Sequence, residues 1–143
     1  TNPAVLNGTE ALRFTTDILP IITQRCEGCH TEFTTLKNQN LLYDALVLDY
    51  DGQDLPSALQ PSFVGPNTQH PNWLPRPYFS YYVNKFARES LLLWLCENQR
   101  MDGRLNSTYA DDIDFPTGHT TTATAQECTT IANWIDQGAP ETM

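Results

Sequence analysis

Positive charge is what this chain lacks most. Its 143 residues hold eight Lys and Arg against seventeen Asp and Glu, for a formal net charge of −9. The pI is ≈ 4.5, and Lys37 and Lys85 are the two lysines present. Such a chain lacks the basic footprint of a nucleic-acid binder and is poorly suited to anionic membrane surfaces. Long apolar runs are missing too. The longest, Leu91 to Cys96, is six residues, against the roughly 18 to 20 needed to span a bilayer. No internal repeat and no strong strand alternation is visible. What remains is an ordinary globular balance, 40% hydrophobic and 17% charged, at a length that suits one domain and one core.

The expected organisation is mostly α with long irregular loops. Residues 1–16 read as an N-terminal extension or arm, and 17–140 as the domain. Asp17 is a plausible N-cap, and Pro20 falls in the first turn of a short helix carrying Ile18, Leu19, Ile21 and Ile22 into Cys26. Leu41, Leu42, Ala45, Leu46 and Leu48 suggest a helix within 36–50. The polar stretch from Asp49 to Asp54 resembles half of a calcium loop but lacks the distal Glu, and reads as a turn. Residues 56–77 carry six of the ten prolines, together with His70, Trp73 and Arg76. No regular helix fits there, and the length indicates an ordered loop. Val83, Phe86, Ala87, Leu91, Leu92, Trp94 and Leu95 predict one long helix or two shorter ones over 79–100. Another loop covers 101–124. The last helix is the best signalled: Thr124-Ala-Gln-Glu127 is a capping box, Cys128, Ile131, Ala132 and Ile135 recur at helical spacing, and Gly138 and Pro140 end it. Asn7-Gly-Thr9 and Asn106-Ser-Thr108 match the glycosylation triplet and are given no weight.

The chemistry lies in Cys26-Glu27-Gly28-Cys29-His30, the Cys-x-x-Cys-His attachment signature of c-type haem. Two thiols three positions apart on a helical turn lie on one face, where each can add to a haem vinyl group. The adjacent imidazole then reaches under the ring to the iron. A thioredoxin-like dithiol would need an α/β setting, which is absent. A zinc site would need a further ligand beyond Cys26, Cys29 and His30, and Cys96 and Cys128 are too far apart in sequence to form a second pair.

Haem of this kind is attached outside the bacterial plasma membrane. The chain is therefore expected in the periplasm or beyond, its opening at Thr1 being read as the mark of a removed signal peptide. In that oxidising setting Cys96 and Cys128 are expected to pair, buried free thiols being the alternative.

The run from Asp17 to His30, Asp-Ile-Leu-Pro-Ile-Ile-Thr-Gln-Arg-Cys-Glu-Gly-Cys-His, resembles the haem-binding entry of the planctomycete-type and hydrazine-synthase-related cytochromes c. Trp134-Ile-Asp-Gln-Gly-Ala139 is similar to the close of the same domains, and Ser90 to Trp94 followed by Arg100 to Arg104 to a segment between. The resemblance implies a cytochrome c-like helical domain around one covalent haem, with His30 as proximal ligand. Many such domains carry the distal Met before the last helix. Here that stretch reads Phe115-Pro-Thr-Gly-His119, so His119 is the expected distal ligand, with Met101, His70 and Met143 as alternatives. Arg76, with Trp73 and Tyr78, is a candidate partner for a haem propionate, and Trp134 a candidate packing residue beside the haem or the motif helix, or equally a plain core residue. Tyr81, Tyr82 and Phe86 read as core.

The function that follows is single-electron transfer with no substrate transformed, not enzymatic catalysis. A structural subunit of a multi-haem assembly or filament, and a five-coordinate haem enzyme or sensor, are the rival expectations. With so few lysines, the redox partner is expected to be basic, or to be met through apolar and neutral polar surface.

Overall fold

The computed structural model describes residues 11–48, 55–60, 62–63, 80, 82–83, 86–103, 113–116 and 118–141. The described chain is mostly helical. A wide helical turn, Phe14–Ile18, leads into α1 (Leu19–Arg25), followed by α2 (Thr31–Asn38), α3 (Leu91–Glu97) and α4 (Ala125–Asp136). The only strands among the described residues are two residues each: β1 (Ser62–Phe63) pairs antiparallel with β2 (Ile113–Asp114), Ser62 opposite Asp114.

The helical run starts earlier than the 16/17 boundary drawn from sequence. Arg13 is the extended residue that opens it. Asp17 is not the N-cap; it sits inside the turn and its Oδ2 accepts from the Arg13 backbone N–H at 2.8 Å. That bond still satisfies one of the N–H donors a helix start leaves unpaired. Pro20 lies in the first turn of α1, where a missing N–H costs little. Phe14 is buried between Tyr43 and Trp134, with ring centres 5.3 and 5.7 Å away. The backbone there pairs with the end of the chain, Phe14 N–H donating to Pro140 O at 2.9 Å. Both ends of the described chain thus close on one core.

The segment expected as a helix within 36–50 divides. α2 begins directly after His30 and stops at Gln39 and Asn40, where Asn40 takes a left-handed φ of 59°. Asparagine adopts this conformation more readily than most residues, which lets the chain turn and re-enter a helical path over 42–48. Of the one long helix or two shorter ones expected over 79–100, the described residues show α3, preceded by a tight 3₁₀ turn, Ala87–Glu89, and by Ser90 in an extended conformation. The apolar spacing reports helicity from Leu91 onward and burial alone at Ala87. Val83, Ala87, Leu91 and Leu92 are buried because the chain winds beneath α4, held by Leu92 N–H to Tyr82 O at 2.9 Å and Ala87 N–H to Asp136 Oδ1 at 3.1 Å. Phe86, placed on the apolar face from sequence, is 55% exposed.

α4 follows its sequence signals. Thr124 Oγ1 accepts from Glu127 N–H at 3.1 Å while Glu127 Oε1 accepts from Thr124 N–H at 2.9 Å. Gly138 takes a φ of 99° just beyond the helix, a conformation that favours glycine. α4 packs on α3, and Cys96 of α3 lies at disulfide distance from Cys128 of α4, with Cα atoms 5.7 Å apart. The bridge spans 32 positions, and a loop of that length limits the unfolded chain enough to contribute about 4 kcal/mol. The double variant Cys96→Ala/Cys128→Ala is expected to lose about that much in a denaturant titration. An unchanged midpoint would show that the bridge does not constrain the unfolded chain.

Candidate functional site

One cavity of ≈ 390 Å³ opens between α1, α3, α4 and the loop before α4. That volume lies within the roughly 300–1,000 Å³ of small-molecule and cofactor sites. Ile21 and Ile22 of α1, Phe33 of α2, Leu91, Leu92 and Leu95 of α3 and Ile131 of α4 make its wall mainly apolar. Leu59, Gln60 and Tyr82 close another side. The Tyr82 hydroxyl donates to Leu59 O, which ties the 3₁₀ turn Ser57–Leu59 to the wall.

Cys26, Cys29, His30 and His119 all line this cavity. Cys26 closes α1, its N–H bonded to Ile22 O, and the chain then turns tightly, Cys29 N–H and His30 N–H both donating to Cys26 O at 3.2 and 3.0 Å. His30 is the residue that opens α2. The turn therefore sets both thiols and the imidazole on one side of the chain, as the motif spacing requires. Glu27 fastens the turn from outside: its carboxylate accepts from Lys37 Nζ at 2.9 Å and from the Thr34 hydroxyl, which hold it below the usual carboxylate range.

The His30 and His119 rings have centres 6.3 Å apart and planes 13° from parallel. The His119 Nδ1 is buried without a hydrogen-bond partner. Burial, and then the neighbouring His30, lower the His119 pKa from its ordinary value. Burial, then Glu27 and Cys29, push the Cys26 thiol up to about 11. That is the reverse of the depressed pKa of a reactive dithiol.

Of the other residues singled out from sequence, Trp134 does not line the cavity. Its ring is fully buried against Phe14 and its Nε1–H donates to Pro140 O at 2.9 Å, a core position. Met101 packs against the core and is likewise absent from the cavity wall. Arg76, Trp73, Tyr78, Tyr81, His70, Met143, the Asp49 to Asp54 stretch and the triplets at Asn7 and Asn106 lie outside the described residues.

Sequence reasoning missed Arg25 and Asn98; Tyr82, read as core, is buried there and also lines the cavity. Arg25 is the one Arg or Lys on the described cavity wall. Its Nε donates to Glu127 Oε1 at 2.8 Å and its Nη1 to Thr122 Oγ1 at 3.3 Å. Glu127 thus serves both the capping box and the motif helix, and its place next to the capping threonine was the available signal. Arg25, and then the Thr124 N–H, hold Glu127 below its ordinary 4.5. A lowered folded value means that this contribution is complete above the unfolded value and is lost as pH falls through the folded one. Glu127→Ala is expected to cost about 1 kcal/mol at pH 7, most of it from the cap because the pair is partly solvated. The gap to the wild type should narrow below the ordinary Glu range, as a pH series of thermal melts would show. A gap independent of pH would contradict the pairing.

No protein-family model, curated protein or solved structure matches the chain.

Proposed function

We propose that this chain is an exported monohaem c-type cytochrome that carries single electrons through a bis-histidine haem, on a cytochrome c-like helical domain. The observation that carries the proposal is the pair of near-parallel imidazoles, one from the Cys-x-x-Cys-His turn and one from the loop before α4, 6.3 Å apart in one cavity. A metal ion sits about 2 Å from an imidazole nitrogen and the ring centre about 1 Å beyond, so two imidazoles on opposite sides of one ion have centres about 6 Å apart.

The other features agree with it. The place of His119 on the cavity wall, facing His30, suits a ligand. The apolar wall suits a large flat apolar cofactor, and the raised Cys26 thiol argues against a working dithiol. When bound, haem supplies iron that cycles between ferrous and ferric. Cys26 and Cys29 would hold it covalently, His30 and His119 would ligate it, and the α1, α3 and α4 side chains would exclude water.

The Cys96–Cys128 pair favours an oxidising compartment, the periplasm or beyond. No described helix is long and apolar enough to cross a membrane. With a net charge of −9, the redox partner is basic or is met through neutral surface. Expression with the cytochrome c maturation machinery, followed by mass measurement of the denatured chain, tests the proposal. The mass should exceed that of the polypeptide by one haem; an unmodified mass sinks it.

A further inference from the structure

His119 sits on an irregular segment between β2 and α4, and little local structure holds it. Its N–H makes a turn bond to Pro116 O at 3.2 Å, and its buried Nδ1 has no partner. Two positions on, the backbone is fastened from outside. Thr121 N–H donates to Asn98 Oδ1 at 2.7 Å, Asn98 Nδ2 donates to Thr121 O at 3.2 Å, and Thr121 Oγ1 donates to Cys96 O at 3.4 Å. Asn98 closes α3 in the left-handed conformation, φ 63°. Its amide offers a donor and an acceptor side by side, the match for one peptide N–H and C=O that a carboxylate, which only accepts, cannot provide. The end of α3 is itself tied to α4 through Cys96 and Cys128.

We infer that Asn98 is a positioning residue that holds the Thr121 backbone so that His119 stays at the sixth position of the haem iron; this rests on the bis-histidine reading above. A ligand carried by a loop needs such support, and losing the outer supports of a metal ligand costs about 10 to 100-fold in metal affinity or activity.

A plain helix cap and a ligand clamp are separable at this site. Glycine accepts the left-handed conformation without strain but has no side chain to grip Thr121. The haem-loaded Asn98→Gly variant is expected to bind carbon monoxide, after reduction, about tenfold faster or more than the wild type. Its melting temperature should stay close to the wild type's, and its Thr121 amide should exchange hydrogen faster. Asn98→Asp keeps the acceptor alone and should fall between the two, and it decides the question if the glycine variant does not fold. Carbon monoxide binding no faster than wild type in these variants, with a wild type that shows a paired-imidazole spectrum, overturns the clamp alone. A wild type without that spectrum removes the underlying reading and the clamp's role with it.

Discussion

The double variant Cys26→Ser/Cys29→Ser should lose all of its haem on denaturation, where the wild type keeps one haem per chain. The expected effect is all or none because the two thioether bonds are the only covalent links proposed. Both thiols line the cavity beside His30, so the substitution leaves the imidazoles in place and removes only the tether. Any haem held by the variant is then held by ligation and burial alone. The single variants should each keep haem through one bond. Stability should fall as well, since a cofactor that binds only the folded chain adds to folding free energy, and a dissociable one adds less. A haem-stained denaturing gel reads the first effect, and thermal melts the second. Haem that persists on the denatured double variant would place the attachment elsewhere and undo the motif reading.

The second large effect concerns the reduction potential. Methionine donates weakly to ferric iron and raises the potential relative to imidazole. His119→Met should therefore raise it by on the order of 0.1 V or more, within the ≈ 0.8 V range that axial ligands command. The variant should also gain the far-red charge-transfer band of methionine-ligated ferric haem c. His119→Ala should instead open the sixth position to carbon monoxide. The nearly parallel placement of His119 6.3 Å from His30, in the same cavity, is the ground for expecting the substitution to act at the iron and not at a distance. A redox titration in which both variants match the wild type would remove His119 from the coordination sphere. Met101, which packs in the core away from the cavity, would not be the natural replacement.

The parts of this arrangement that were legible in the sequence are those with local chemical causes. The Cys-x-x-Cys-His turn, the capping box of α4 and the Gly138 stop are set by neighbours within a few residues, and the structure has α4 and the turn where the residues put them. His119, expected from the resemblance by its place before the last helix, lines the same cavity as the turn. The irregular stretch before α3 was not legible, because a buried apolar residue at helical spacing also arises when an irregular chain is covered by a helix, as at Ala87 beneath α4. Asp17 shows the same limit at smaller scale: its carboxylate does satisfy a helix-start donor, but from inside the turn. Arg25 and Asn98 act through partners 102 and 23 positions away, and no local pattern announces such pairs. Trp134 looked equally suited to the cofactor and to the core; the backbone of Pro140 and the ring of Phe14 claim it for the core.

The pair of imidazoles is the centre of the account, and optical spectra of the haem-loaded wild type address it most directly. The account predicts low-spin, six-coordinate spectra in both oxidation states, no methionine-type charge-transfer band in the ferric form, and no rapid Soret shift when carbon monoxide meets the reduced protein. A ferric methionine band, or immediate carbon monoxide binding with a large Soret shift, would contradict it: the first would give the sixth position to methionine, and the second would leave it open for a small ligand.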